Sequence, residues 1–272
     1  MLKPEDFFEL QDSPFASLFN DCQYVWDALK KLPEYIKTTV KGNVADIRQG
    51  QTFITKTVVL YEGRVLEGGF AIDTAGKKPQ VLIDGAVLAG ASIIYAGSVL
   101  MDDLIYIGQG TVVESGAYIS GPAYIGNNTE VRQGAYIRGQ VLVGDNCVVG
   151  HTTEIKSSVM LGGSKAGHFA YIGDSILGKV NLGAGTKIAN LKITGSAVKV
   201  SAAGVSHETG LRKFGAILGD GVETGCNSVT TPGTLLSKNV LLYPNSTARG
   251  YYPPQKIVKS KIVQEILDFG FA

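Results

Sequence analysis

Aliphatic side chains recur at every sixth position through the middle of the chain, which matches neither the 3.6-residue period of a helix nor the simple alternation of a strand. The strict run passes through Ile107, Val113, Ile119, Ile125, Val131, Ile137, Val143, Val149, Ile155 and Leu161. Two residues before each of these stands a mostly small or β-branched side chain, at Thr111, Ala117, Ala123, Thr129, Ala135, Val141, Cys147, Thr153 and Val159. Short strands joined by tight turns, three to a coil, produce this pattern. We therefore predict a triangular prism whose large residues point inward.

The same phase extends beyond this run in both directions, more weakly. Backward it passes through Ile83, Ala89, Tyr95 and Met101, and forward through Ile172, Leu177, Leu182 and Ile188, then Leu218, Thr224, Thr230, Leu236, Leu242 and Ala248. No register can be followed from Lys192 to Phe214. We therefore place a β-helix at residues 76–252, with an external loop near 192–214.

A stack of coils leaves an open face at each end, so repeat arrays need caps. At the N-terminus, 15–19 and 24–29 have helical patterns, and 52–71 alternate as strands do. At the C-terminus, the apolar residues Ile257, Ile262, Val263, Ile266 and Leu267 have helical spacing. The prediction is an all-β fold with short helical caps, comprising an N-terminal cap at 1–75 and a C-terminal helix at 253–272.

The composition suits such a prism and excludes several other classes. Of 272 residues, 35 are Gly and 18% are charged, against averages of roughly 7% and about 25%. A chain this apolar can fold, which argues against disorder, and its Gly residues lack the period of collagen. The formal net charge of +1 lacks the strong positive field of a nucleic-acid-binding protein. Gly accepts the left-handed backbone that sharp corners require.

The cysteines and the N-terminus predict a soluble cytoplasmic protein without a membrane partner. Cys22, Cys147 and Cys226 are odd in number and far apart, as expected for reduced thiols. The first residues are acidic and include Pro4, unlike a secretory signal. No stretch has the 18 or so uninterrupted apolar residues that a membrane span needs.

The repeat resembles the left-handed parallel β-helix of the hexapeptide-repeat acyltransferases. A closer resemblance, to the acetyltransferase half of the bifunctional enzyme that makes UDP-N-acetylglucosamine, rests on Gly163-Ser164-Lys165-Ala166-Gly167-His168, Tyr171-Ile172-Gly173-Asp174 and Asn181-Leu182-Gly183-Ala184-Gly185-Thr186. The left hand of the coil comes from this resemblance, because the period does not define it. The resemblance also implies acetyl-CoA as cosubstrate, no required metal, and a homotrimer with sites in clefts between neighbouring prisms.

The resemblance also implies roles for individual residues in acetyl transfer to an amino-sugar phosphate or a nucleotide sugar. His168 matches the general base, and an imidazole titrates in the range such a base needs. Ala184 matches a backbone N–H donor to the acetyl thioester, where oxyanion charge develops. The sugar phosphate would be held by Arg138, Lys156, Tyr171, Asn181 and Asn190, and the acetyl-CoA also by Cys226 and Lys259.

The chain departs from the family's pattern at several positions. Leu191 stands where Tyr is usual, Cys226 where Ser is usual, and Pro244 where a small Ala lines the CoA groove, and the loop at 192–214 is longer than usual. These changes favour altered substrate choice. About 80 residues precede the clear repeat, too few for the family's Rossmann-like nucleotidyltransferase domain, and they carry no Gly-rich phosphate loop. We therefore expect no nucleotidyl transfer.

Other interpretations remain open at this point. Arg138 and Lys156 face outward in their hexads, as solvated side chains also do, and Asn181 and Asn190 suit turns. A catalytically silent β-helix with an assembly or regulatory role is the alternative to an enzyme. A zinc hydratase of the hexapeptide type is a weaker rival, since it needs three converging imidazoles, and His151, His168 and His207 are the three available.

Overall fold

The computed structural model describes residues 2–261 and 265–266. Two 3₁₀ turns, Pro4–Asp6 and Ala16–Phe19, precede the helices α1 (Asp27–Thr39) and α2 (Ala45–Arg48). Five strands follow before the coils begin: β1 (Val58–Tyr61), β2 (Arg64–Leu66), β3 (Ala71–Asp73), β4 (Gln80–Ile83) and β5 (Ala86–Val87).

The strands of the coils are two to four residues long. In chain order the first group is β6 (Ser92–Ile94), β7 (Val99–Leu100), β8 (Ile105–Ile107), β9 (Val112–Val113), β10 (Tyr118–Ser120), β11 (Ala123–Ile125), β12 (Glu130–Val131), β13 (Tyr136–Arg138), β14 (Val141–Val143), β15 (Val148–His151), β16 (Glu154–Lys156), β17 (Ser158–Met160), β18 (Lys165–His168), β19 (Tyr171–Gly173), β20 (Ile176–Leu177), β21 (Asn181–Leu182) and β22 (Lys187–Ile188). A hairpin of β23 (Lys199–Ala202) and β24 (Val205–Glu208) interrupts them. The coils resume with β25 (Ala216–Leu218), β26 (Glu223–Thr224), β27 (Val229–Thr230), β28 (Thr234–Leu236), β29 (Leu241–Leu242), β30 (Thr247–Ala248), β31 (Tyr251–Tyr252) and β32 (Ile257–Val258).

Successive coil strands enter three sheets in turn, which confirms the predicted parallel β-helix. Sheet 1 has the order β2-β1-β6-β9-β12-β15-β18-β21-β26-β29-β32, sheet 2 runs from β7 to β30, and sheet 3 from β8 to β31. Apart from β1 and β2, which pair antiparallel, each strand pairs in parallel with strands of the neighbouring coils. The nine parallel strands of sheet 1 correspond to about nine coils. We call the corners of the prism the 1–2, 2–3 and 3–1 edges.

The residues that face the inner core are the predicted ones up to Ile155. Beyond Ile155 the inward-facing position is shifted by one residue. Val143 pairs with Met160 in the next coil, and Met160 lies in the inner core, whereas Val159 and Leu161 belong to an outer cluster. Prediction of Leu161 as an inward residue was therefore wrong. The turn at Ser157, which has a φ of +44°, is one residue shorter than the preceding turns.

Two parts of the N-terminal region pack against different surfaces of the prism. Residues 2–40 lie along the outer face of sheet 3, where Phe7, Phe15 and Trp26 pack in one cluster with Leu142 and Ile217. The end of the prism is closed instead by apolar residues of the inner core, at Val44, Ile47, Ile54, Val58 and Leu60. The first 40 residues are thus a lateral cover for the apolar outer face of sheet 3.

The coils also begin later than position 76. Ile83 lies in the antiparallel sheet β3-β4-β5, and that small sheet covers the outer face of sheet 1 around Val59, Val81 and Ile93. The first parallel strand is β6 at Ser92. Side chains alternate between the two faces of any strand, whether it belongs to an antiparallel sheet or to a coil. The backward extension of the pattern to Ile83 therefore did not distinguish the antiparallel sheet from the coils.

The excursion near 192–214 leaves the prism at the 2–3 edge, between β22 and β25. Its hairpin packs on the N-terminal cover, since Val198 and Val200 join the outer cluster and the His207 and Tyr24 ring centroids lie 5.3 Å apart.

Prediction of a helix from residue 253 was wrong for its first part. β32 pairs in parallel with β29, and the Leu241 N–H donates to the Lys256 carbonyl at 2.8 Å. The exposed backbone of the last coil therefore extends sheet 1. Ile262, Val263 and Leu267 lie outside the described residues. No helix in the described ranges has the length and hydrophobicity to cross a membrane.

Candidate active site

Stacked coils bring residues 16 to 18 apart in sequence side by side. On the outer face of sheet 2, Tyr136, Glu154, Tyr171 and Lys187 follow one another at paired positions. The neighbouring outward column holds Lys156 and Gly173, and Arg138 ends the strand below. This register explains how the distant motifs of the sequence reach one surface.

Four of the predicted substrate-binding residues meet on this face. The Lys156 Nζ lies 2.8 Å from Asp174 Oδ2, and the Asn190 amide donates to the same carboxylate oxygen. The Tyr171 hydroxyl donates to Asn190 Oδ1 at 3.4 Å, and Arg138 Nη1 donates to Glu154 Oε1 at 2.7 Å. We call these six residues, Arg138, Glu154, Lys156, Tyr171, Asp174 and Asn190, the sheet 2 cluster.

Room for this cluster depends on Gly173. A Cβ there would come within 2.7 Å of the Tyr171 hydroxyl and 2.8 Å of Asn190 Nδ2, closer than van der Waals contact allows. Both side chains therefore lie across the backbone of β19. Only a residue without a side chain fits beneath them.

The charges of the sheet 2 cluster compensate one another. Two cations face two carboxylates, and the Lys156 and Asp174 side chains are only 15% and 17% exposed. The hydrogen bond that Arg138 donates to the Glu154 carboxylate raises the pKa of the guanidinium, while burial raises the pKa of Tyr171. Arg138 and Tyr171 are therefore a cation and a neutral hydroxyl at physiological pH, available to an anion that displaces the carboxylates.

A second set of predicted residues is stacked along the 1–2 edge. His151 pairs with His168, and the edge continues through Ala184, Cys226 and Pro244 on successive coils. Hydrogen bonds between backbone groups of successive coils fix this order. The N–H groups of Gly185, Asn227 and Asn245 donate to the carbonyl oxygens of His168, Ala184 and Cys226, respectively. We call His151, His168, Ala184, Cys226 and Pro244 the edge column.

Lys259 extends the edge column at its C-terminal end. Its Nζ lies 4.4 Å from the centroid of the Tyr243 ring, in the residue before Pro244. A cation held over an aromatic face thus stands four coils from His168. The three residues predicted to bind acetyl-CoA therefore share one edge with the predicted base.

Within the sheet 2 cluster, Arg138, Lys156 and Asp174 lie at the margin of sheet 2 that is away from His168. His168 is exposed, and its ring makes no hydrogen bond or ion pair with any residue in the described part of the chain. Its nearest aromatic partner is Phe169, with the ring centroids 6.3 Å apart. Tyr171, at the start of β19, is the member of the sheet 2 cluster that is nearest to His168 along the chain.

Asn181 is apart from the other predicted sugar contacts. It begins β21 on sheet 1, where it pairs with Lys165 on one side and Glu223 on the other. Its side chain is exposed. Within one chain, it therefore does not join the sheet 2 cluster.

Several residues here had no assigned role in the sequence. Asp174 and Glu154 were visible within the motifs, but their pairing with Lys156 and Arg138 depends on coil register. Lys187 donates to the carbonyls of Phe169 at 2.8 Å and Gly185 at 3.0 Å, and no carboxylate of the described residues pairs with it.

The three histidines do not converge. His151 and His168 are neighbours on the 1–2 edge, but His207 lies on the hairpin against Tyr24 and Trp26. Among the residues that the structure describes, no group of three or more His, Cys, Asp or Glu side chains is arranged to hold a metal ion.

The fold and these columns are those of a hexapeptide-type parallel β-helix. In sequence, the chain is similar to parts of bifunctional nucleotidylyltransferase/acetyltransferase enzymes. A family model described as "GMPPB C-terminal domain" matches residues 119–211. A bifunctional sugar-1-phosphate nucleotidylyltransferase/acetyltransferase of Sulfurisphaera tokodaii is 42% identical over 85 residues, which is 31% of this chain and 21% of that protein. The resemblance inferred from the motifs is thereby confirmed.

Two further relatives carry the name "Bifunctional protein GlmU". That of Methanococcus vannielii is 36% identical over 30% of this chain and 20% of its own length. That of Thermosynechococcus vestitus is 33% identical over 38% of this chain and 19% of its own length. The chain thus spans about a fifth of the length of the curated relatives it matches. A solved polysialic acid O-acetyltransferase aligns at 14% identity over 64% of this chain and 89% of its own, with a TM-score of 0.19.

Proposed function

We propose that the protein is an acetyl-CoA-dependent N-acetyltransferase whose acceptor is an amino-sugar phosphate or a nucleotide amino sugar. The observation that carries the proposal is the placement of two residue sets that share three consecutive coils, those of β15–β16, β18–β19 and β21–β22. The edge column presents a free imidazole beside Ala184 and Cys226, and the sheet 2 cluster presents cations and amides on the adjoining face.

In the proposed reaction, the acceptor amine attacks the carbonyl carbon of the acetyl thioester. His168 takes the proton that the amine loses, and the C–S bond breaks to release CoA as its thiol after protonation. The Ala184 N–H donates to the oxygen on which negative charge develops. The described residues leave the His168 ring without a competing partner, which suits a general base.

Arg138 and Lys156 would bind the acceptor's phosphate, with Tyr171 and Asn190 beside it. A phosphate has three acceptor oxygens, so it can replace Glu154 on the Arg138 fork. Leu191 stands at the start of the excursion with 45% of its surface exposed. The acceptor specificity is therefore expected to differ from that of a site with Tyr there.

A homotrimer would complete the site. Asn181 faces outward on sheet 1, away from the cluster, and can contact an acceptor only if a neighbouring prism brings the two faces together. Sheet 3 is covered by residues 2–40 and the first strands of sheet 1 by the small sheet β3-β4-β5, so the open faces are sheet 2 and the rest of sheet 1. The exposed or half-buried free thiols of Cys226 and Cys22 are consistent with a reducing, cytoplasmic location.

One assay tests the activity directly. Acetyl transfer from acetyl-CoA to glucosamine-1-phosphate is followed by loss of thioester absorbance, because the exposed thiol of Cys226 would itself react with a thiol reagent. His168→Ala should lower kcat/KM by about 10²- to 10⁴-fold. His207→Ala is the matched control, since that imidazole lies on the hairpin. Equal rates for wild type and His168→Ala, or no transfer to any amino-sugar phosphate or nucleotide amino sugar, would overturn the proposal.

A catalytically silent assembly protein is the second candidate. It is favoured by the pairing of both cluster cations with carboxylates, which gives a stable surface without any ligand. The two candidates differ in the binding of glucosamine-1-phosphate and acetyl-CoA, which calorimetry measures without turnover. Binding of both substrates would exclude the silent scaffold.

A further inference from the structure

The 1–2 edge turns at the same backbone position in each coil, and that position is left-handed. Eight such residues have a positive φ: Gly97, Gly116, Gly134, Thr152, Phe169, Gly185, Asn227 and Asn245. Gly takes this conformation freely, and Asn tolerates it better than most residues. Thr152 and Phe169 are thus the two unfavourable choices along the edge, because β-branched and bulky side chains rarely have positive φ.

These two unfavourable residues touch the two imidazoles of the edge column. The Thr152 hydroxyl lies 3.2 Å from His151 Nε2. The Phe169 ring centroid lies 5.2 Å from that of His151, edge to face, and 6.3 Å from that of His168. Strain retained at two consecutive coils therefore coincides with the coils that carry the imidazoles.

The backbone of Phe169, with a φ of +54°, is held from both sides. Its N–H donates to the His151 carbonyl at 2.9 Å, and its own carbonyl accepts from Lys187 Nζ at 2.8 Å. His151 is also fixed, because its Nδ1 lies 2.9 Å from the Gln133 carbonyl oxygen, which only accepts, so Nδ1 carries a proton. Hydrogen bonds therefore hold both the backbone of Phe169 and the His151 ring that the Phe169 ring contacts.

Packing does not account for this aromatic residue. The Phe169 side chain is 51% exposed and belongs to none of the apolar clusters of the described residues. Asn, which stands at the same corner in two later coils, would fit the backbone with less strain. Unfavourable conformations that persist without a packing reason are typical of functional sites.

We propose that Phe169 is a specificity-determining residue that binds the acceptor, taking the apolar C–H face of an amino-sugar ring beside His168. This inference rests on the proposed function, which assigns Ala184, Cys226 and Lys259 on the C-terminal side of His168 to acetyl-CoA. The acceptor then occupies the opposite side, where Phe169 and His151 lie. Phe169 supplies an aromatic ring for the acceptor, which Leu191 does not.

The position of Phe169 also suits a phosphate-bearing sugar. Gly173 follows Phe169 by four positions, so the two lie at most about 13 Å apart along the chain at ~3.3 Å per residue. Tyr171 lies between them, with its hydroxyl directed toward Asn190. A sugar ring on Phe169 would therefore direct a phosphate toward the sheet 2 cluster.

Binding of glucosamine-1-phosphate, measured by calorimetry, tests this assignment independently of turnover. Phe169→Asn keeps a residue that suits the corner and removes the ring, whereas Phe169→Tyr keeps the ring. Gln255→Asn is the matched control, because Gln255 is exposed with a φ of +60° and lies outside both residue sets. Melting temperatures should stay within about 4 °C of wild type, which shows that each variant folds.

We expect Phe169→Asn to weaken glucosamine-1-phosphate binding about tenfold, with a parallel rise in its KM and no change in the KM for acetyl-CoA. Phe169→Tyr should stay within about threefold of wild type, and Gln255→Asn should equal it. Unchanged binding by Phe169→Asn, equal losses for both substrates, or no binding by wild type would overturn the assignment. Phe169-dependent binding without acetyl transfer would support the subsite and refute only the proposed activity. Acetyl transfer that is unaffected by substitution of Phe169 would support the proposed activity and refute only the subsite.

Discussion

The pair of Lys156 and Asp174 allows a prediction whose size follows from the structure. Nζ and Oδ2 are 2.8 Å apart, and the two side chains are 15% and 17% exposed. At an effective dielectric constant near 20, their attraction is about 6 kcal/mol before desolvation, which offsets much of it. Lys156→Met leaves the Asp174 carboxylate poorly hydrated, with the Asn190 amide as its remaining partner. We expect this variant to lose about 3 kcal/mol of unfolding free energy.

A double-mutant cycle measures the pair itself. Asp174→Asn keeps the shape and should cost about 2 kcal/mol, while the double variant should cost less than the sum, with a coupling of about 2 kcal/mol. The assay is equilibrium unfolding in urea, followed by circular dichroism, with equal m-values required across the four proteins. A coupling under about 0.5 kcal/mol, as for exposed ion pairs, would refute the view that this pair is buried and organises the cluster.

Three further outcomes test other parts of the fold. A Cβ on Gly150 would overlap the carbonyl oxygen of Gly167, whereas a Cβ on Gly167 meets nothing within 4 Å. Gly150→Ala should therefore lower the melting temperature by about 8 °C, from a cost of about 3 kcal/mol. Gly167→Ala should change it little, and similar melting temperatures for both would contradict the stacking at this corner. Burial raises the pKa of the Cys147 thiol to about 12, and Cys226 is exposed. Iodoacetamide at pH 8 should thus modify Cys226 in the native protein and Cys147 only after unfolding, as peptide mass mapping would show; early labelling of Cys147 would argue against its burial. Burial is the main reason that the pKa of Tyr124 rises to about 12, while an unfolded Tyr ionises near 10. The stabilisation is complete below pH 10 and is lost as the pH rises from about 10 to about 12, so Tyr124→Phe should flatten this part of a stability profile from urea unfolding, and an unchanged slope would count against the assignment.

The sequence predicted the coils well because the inner core requires one large residue per strand. From Ile107 to Ile155 the spacing of six is unbroken, and each of these residues is buried. At Ser157 the turn loses a residue, and both Met160 and Leu161 are apolar because sheet 3 is buried on both sides. Hydrophobicity alone therefore did not show which of the two faces inward. The same double burial explains why α1 and the residues before it lie on sheet 3 and not on the end of the prism.

The candidate site was predictable residue by residue but not in its arrangement. Motifs pointed to Arg138, Lys156, Tyr171 and Asn190, and coil register brings them together. The carboxylates that pair with the two cations act across coils, where sequence distance gives no signal unless the register is known. Phe169 was not predicted from the sequence, because its positive φ arises from its position at the corner of the coil. Only the column of equivalent turns shows that a Gly or Asn would be expected there.

The lateral cover over sheet 3 has a consequence for the order in which the protein can fold. Trp26 is synthesised roughly 190 residues before Ile217, which lies in the same cluster. At about 5 to 20 residues per second, the wait is on the order of 10 to 40 s. During that time Phe7, Phe15 and Trp26 have only the earlier strands of sheet 3 to cover, such as β14 with Leu142. This apolar segment is therefore synthesised well before its last packing partners, and a nascent chain would leave part of it accessible to chaperones while the prism grows.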